Sequence, residues 1–131
     1  MYLNKELSKS KKNIFLIGEQ PLLDIDDKIK SYAKRNKMKL SKNYQDWPER
    51  SLSWKNNKIS KTIQIYLEKE NSNKFLIWGC AYKDKLSSRY WWKKEPITFE
   101  APLDWKQIES LFNLLKKTLD NIEESQLKLE R

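Results

Sequence analysis

Residues 51–82 read SLSWKNNKISKTIQIYLEKENSNKFLIWGCAY, and this stretch decides the fold. Leu52 and Trp54 alternate with Ser51 and Ser53. Ile63, Ile65 and Leu67 alternate with Thr62, Gln64, Tyr66 and Glu68, the period of a strand with one buried face. Between them, Lys55-Asn56-Asn57-Lys58 predicts a tight turn, because Asn tolerates the left-handed backbone that short hairpins need. Glu70-Asn71-Ser72-Asn73 turns the chain again. Phe75 to Tyr82 is apolar at nearly every position, which predicts a central strand covered on both faces with Phe75, Trp78 and Tyr82 in the core. Connections this short force antiparallel neighbours.

C-terminal to this stretch, Asp84 to Ser87 predicts a third turn and Arg89 to Lys93 a further strand. Glu95-Pro96 interrupts that strand, leaving Ile97 and Phe99 for a short edge piece. Asp104 then caps a helix, with Gln107 at the reciprocal position of a capping-box-like pair. Ile108, Leu111, Phe112, Leu115, Leu119 and Ile122 hold helical spacing, and Leu114 falls off the stripe. Past Glu124 the pattern decays, so 125–131 reads as a charged tail.

On the N-terminal side, Asp24 to Lys37 predicts a helix capped by Asp24, with Asp26 and Asp27 at the positive end of its dipole. Ile25, Ile29, Tyr32 and Ala33 form its apolar stripe, and Lys30, Lys34 and Lys37 share an outer arc. Ile14 to Ile17, closed by Gly18 and Pro21, predicts a short buried strand, and residues 1–12 a frayed basic arm. The expected fold is one α+β domain over 1–131. It is a two-layer sandwich, an antiparallel meander of four or five strands with the N-terminal and C-terminal amphipathic helices on one face.

Composition excludes more than it identifies. At 131 residues and 38% hydrophobic content, a compact chain buries roughly 65–70% of its unfolded surface, so wholesale disorder is excluded. The absence of His removes imidazole acid–base catalysis, His–metal sites and serine triads. Cys80 is the only cysteine, so an intramolecular disulfide or a multi-thiolate metal site is impossible. Two glycines do not build a phosphate-cradling loop, and no Glu-x-Lys pair of a metal-dependent nuclease occurs. The helix dipole accounts for Asp24, Asp26 and Asp27, and solvation accounts for Glu68 and Glu70 beside their turn. We therefore expect no enzyme, no catalytic residue, no metal and no cofactor. The longest uncharged apolar run, Phe75 to Tyr82, is far shorter than a membrane span, and the start of the chain lacks a signal-peptide pattern, so a cytoplasmic protein is expected.

The net charge of +9 points to an acidic partner. Six Trp supply the other signal. In Arg89-Tyr90-Trp91-Trp92-Lys93-Lys94, neighbours on a strand face opposite sides, so Trp91 and Trp92 cannot both enter one core. The expected partner-binding residues are Arg89, Tyr90, Trp91 and Trp92, with Lys85, Lys93 and Lys94 around them. Secondary candidates are Trp47, Arg50 and Trp54 near the first hairpin, and the Lys30, Lys34 and Lys37 face. The expected function is a small non-catalytic binding protein of inhibitor, immunity, adaptor or assembly-factor type. It would engage a protein with an acidic surface through an aromatic and basic patch on the sheet. The alternative is sequence-independent nucleic-acid binding by Lys and aromatic surfaces. Only 4 of the 27 cations are Arg, the residue that does most planar phosphate and base recognition, which weighs against it.

Overall fold

The computed structural model describes the backbone of residues 2–42, 48–69, 72–84 and 88–129, and the side chains of 19–42, 48–69, 72–83, 90 and 95–127. In chain order the elements are α1 (Tyr2–Arg35), β1 (Lys39–Lys42), β2 (Glu49–Asn56), β3 (Ile59–Leu67), β4 (Lys74–Asp84), β5 (Ser88–Glu100), α2 (Trp105–Asp120), a single 3-10 turn (Glu124–Gln126) and β6 (Lys128–Leu129). Among the described residues the strands make one antiparallel sheet in the order β1-β2-β3-β4-β5-β6. The meander and the α+β class follow the expectation. The sheet is wider than the expected four or five strands, because β1 and the two-residue β6 add to its edges.

The Asn-rich turn forms as its chemistry dictates. Asn56 pairs with Ile59, leaving Asn57 and Lys58 as a two-residue hairpin loop. Both have positive φ, 51° and 65°, the backbone that matches the right-handed twist of the flanking strands. Glu70 and Asn71 of the second turn, and Lys85 to Ser87 of the third, lie outside the described residues.

One face of the sheet carries the core. Leu52, Ile63, Ile65, Leu67, Phe75, Ile77 and Ala81 are buried there with Leu22, Ile25, Ile29, Tyr32 and Ala33 of α1 and Ile108, Leu111, Phe112, Leu115 and Leu119 of α2. The register shows that both helices sit on this same side. Arg50 of β2, held by Asp26 of α1, aligns with Ile65 and Ile77. Two residues along, Leu52 aligns with Ile63 and Gly79, and Gly79 lies under Leu115 and Leu119 of α2. The helices meet through Tyr32, whose hydroxyl donates to Asn113 Oδ1 at 2.9 Å. Its ring packs against Phe112 and edge-on to Trp105. Trp105 thus joins the two helices at the start of α2. Burial pushes the Tyr32 hydroxyl up to about 12, helped by the nearby Glu109 carboxylate.

Several expectations are corrected. Ile14 to Ile17 is not a strand, and residues 2–12 are not a frayed arm; both belong to α1, which runs unbroken from Tyr2. A continuous apolar run of four residues carries no period, so the backbone of its neighbours decides its state. Pro21 does not end the helix but lies inside it, and Asp24 is no N-cap: its carboxylate accepts from Gln20 one turn earlier. The helix ends at Arg35, earlier than expected. Met38 N–H reaches Ala33 O at 2.8 Å and Lys37 N–H reaches Lys34 O at 3.3 Å, with Lys37 at φ 56°. This is a Schellman cap in which Lys takes the place usual for Gly. Ile97 and Phe99 are not a separate piece. They continue β5 against Ile77 and Phe75, past an irregularity in the register beside Pro96. The expected charged tail contains the 3-10 turn and β6, which pairs with Ser88 and Arg89.

Trp78 and Tyr82 are not with Phe75. Side chains alternate along a strand, so the odd positions 75, 77, 79 and 81 of β4 meet the helices and the even ones face away. α2 begins at the expected cap, with Asp104 accepting from the Lys106 amide, and buries Ile108, Leu111, Phe112, Leu115 and Leu119 while Leu114 stays exposed; Ile122, expected on the same stripe, is buried just past the helix end. Among the described residues, no helix is long and apolar enough to cross a membrane.

Candidate functional site

The face of the sheet opposite the described helix residues is the largest feature that core packing leaves unexplained. Its composition follows from register. At one end stands the pair Lys74 and Glu100, followed by the row Glu49, Tyr66, Leu76 and Thr98. Next come Ser41, Ser51, Gln64 and Trp78, and then Lys39, Ser53, Thr62, Cys80 and Trp91. The far row is Lys55, Ser60, Tyr82, Arg89 and Lys128. Leu76, Trp78, Tyr66 and Tyr82 are half-buried, whereas Cys80 between them is buried. Tyr66 and Trp78 are diagonal neighbours, and the nearby Trp78 indole lowers the Tyr66 hydroxyl. Burial nevertheless leaves that hydroxyl above its ordinary value.

The polar groups of this face are held by one another. Gln64 Nε2 donates to Glu49 Oε1 at 2.6 Å and to Ser51 Oγ at 3.3 Å. Burial raises the Glu49 carboxyl, against a hydrogen bond with Ser51 that lowers it.

The structure distributes the sequence candidates unequally. Tyr90 is half-buried, packs against the core and pairs with Ala81. Trp92 takes the register position of Gly79, while Arg89 and Trp91 take those of Tyr82 and Cys80 in the outer rows. The side chains of Arg89, Trp91, Trp92, Lys93 and Lys94 lie outside the described residues, as do Lys85 and Trp47 entirely.

Arg50 is placed inside the molecule, and Trp54 packs against the core on the helix side of the sheet. Arg50 is 1% exposed, with Nε donating to Asp26 Oδ1 at 2.7 Å and Nη2 to Glu19 Oε1 at 2.8 Å. Trp54 is half-buried, and its indole donates to Asp120 Oδ1 at 2.7 Å. Asp120 also accepts from Asn56 and Lys116. Lys61, opposite Trp54, is 0% exposed with its ammonium on Asn56 O at 3.2 Å, and burial lowers its pKa. Lys30, Lys34 and Lys37 are exposed on the helix layer, the other side of the sandwich from the aromatic rows. Among the described residues, no group of three His, Cys, Asp or Glu side chains is placed to hold a metal ion.

Sequence reading did not single out Tyr66, Trp78 and Tyr82 as surface aromatics. The signal was present: Tyr66 stands on the polar side of the alternation from Ile63 to Leu67, and Trp78 and Tyr82 are an odd number of residues from Phe75. Comparison with known proteins finds no matching family model, no matching curated protein and no matching solved structure.

Proposed function

We propose that this chain is a small non-catalytic binding protein that engages a protein with an acidic surface through the face of its sheet opposite the helices. The observation that carries this reading is the cluster of half-exposed rings, Tyr66, Trp78 and Tyr82 with Leu76, on a sheet face that the described helix residues do not cover. Apolar and aromatic area of this kind marks partner sites, and Trp, Tyr and Arg dominate interface energetics. The net charge of +9 supports an acidic partner by steering its approach. The basic and aromatic segment from Arg89 to Lys94 adjoins this face, with Trp91 in the row of Cys80.

Capture from native lysate by the wild type, with and without nuclease, compared with the folded variants Trp78→Ala, Tyr82→Ala and Trp91→Ala, tests this reading. The expected result is a protein partner, insensitive to nuclease, whose recovery falls in the face variants. If all three variants retain every interaction, or if nuclease abolishes capture, the reading fails. In the second case the exposed Lys30, Lys34 and Lys37 become the site, by sequence-independent phosphate contact.

A further inference from the structure

The rows of the outer face differ in charge from one end to the other. The row Glu49, Tyr66, Leu76 and Thr98 contains one carboxylate, and the pair Lys74 and Glu100 beyond it adds one charge of each sign, so this end carries a net negative charge. At the opposite ends of the same strands, the backbone register aligns Lys55, Ser60, Tyr82, Arg89 and Lys128, a row of positions with three cationic residues and no acidic one. Glu49 and Lys55 are the two ends of β2 on this face, so the strand itself separates the charges by about 20 Å. Four strand spacings make the cationic row roughly 19 Å long, with Tyr82 at its middle.

Resting on the reading of this face as the partner surface, we infer that the partner's acidic segment lies across the strands along Lys55, Tyr82, Arg89 and Lys128, with its less charged part over Trp78 and Tyr66. About 19 Å corresponds to about six extended or about thirteen helical residues, so one acidic strand or helix fills the row. Glu49 fixes the direction: an acidic segment at its end of the face meets a like charge, and that repulsion discriminates against the reversed pose. The ammonium groups of Lys suit this role better than base reading, since they act as point charges with little planar specificity.

The probe is a fluorescein-labelled 12-residue polyglutamate peptide, with labelled 12-residue oligothymidylate as the nucleic-acid arm, read by anisotropy at low and moderate salt. The inference expects Lys55→Glu with Lys128→Glu to weaken peptide binding at least about tenfold, and Lys30→Glu with Lys34→Glu to leave it unchanged. Stronger binding of the oligonucleotide than of the peptide overturns the inference, as does absence of peptide binding or a loss confined to the α1 pair. If Tyr82→Ala and Trp78→Ala weaken the peptide while the Lys55 and Lys128 reversals do not, the row assignment fails and the face survives. If none of these four changes matters, both fail.

Discussion

Arg50 and Asp26 join β2 to α1 by a two-pronged contact, Nε to Oδ1 at 2.7 Å and Nη2 to Oδ2 at 3.0 Å. Glu19 takes a second bond from the same Nη2 at 2.8 Å, and Lys42 reaches Asp26 Oδ2 at 3.2 Å. The guanidinium therefore orients the first helix on the sheet. Arg50→Ala leaves Glu19 and Asp26 buried without their main counter-charge and is expected to cost about 3–5 kcal/mol, measured by urea denaturation.

The same contact sets an acid limit. Burial alone raises the Asp26 carboxyl, but the hydrogen bonds and charges of Arg50 and Lys42 outweigh it and hold the group below its ordinary 3.8. Between the lowered folded value and the ordinary one, the unfolded chain binds more protons, so stability rises with pH there. It is complete above about pH 4 and is lost as pH falls through the folded value. Asp26→Asn should be less stable at pH 7 and show a shallower loss of urea midpoint below about pH 4.

Lys61 is the reverse case. Burial lowers its ammonium from 10.5, so the unfolded chain binds more protons between the folded value and 10.5, and stability rises with pH across that window. Lys61→Met should stabilise the protein by about 1 kcal/mol at pH 7, since it removes a buried charge from an apolar face. The gain should shrink as pH is raised toward 9.5. Readings should stay below about pH 10, because Tyr32, raised to about 12 when folded, makes stability fall with pH above its ordinary 10.0.

Gly79 is where α2 comes down on the sheet. A Cβ there would stand 3.1 Å from both Leu115 Cδ2 and Leu119 Cδ1 and 3.4 Å from Thr62 O. Both leucines are themselves buried and have little room to yield. Gly79→Ala is expected to destabilise by about 1–3 kcal/mol in thermal or urea unfolding, with the secondary structure retained by circular dichroism.

What the sequence made legible was what repeats. The stripe from Ile108 to Leu119 and the alternation from Ile63 to Leu67 each recur often enough to fix both element and face. Ile14 to Ile17 is too short to show a period, so nothing in it distinguishes the helix that runs through it from a strand. Arg50 is not legible as a buried residue, because its carboxylates stand 24 and 31 positions away, a distance no local pattern spans. Lys61 was legible in principle: it lies two residues before Ile63 in the same alternation, which places it on the apolar face. The candidate site was half visible, in the excess of aromatics around Trp91. The rows that bring Lys55 to Tyr82 and Arg89 arise only from strand register.

The most direct test of the binding face is photocrosslinking in native cells, with a photoreactive residue at position 82 on the sheet face or at position 30 on the outer side of α1. Position 82 should yield nuclease-resistant protein adducts whose crosslinked peptides are rich in Asp and Glu, and position 30 should yield none of them. Adducts from position 30 alone, or adducts at position 82 that nuclease abolishes, would contradict the account.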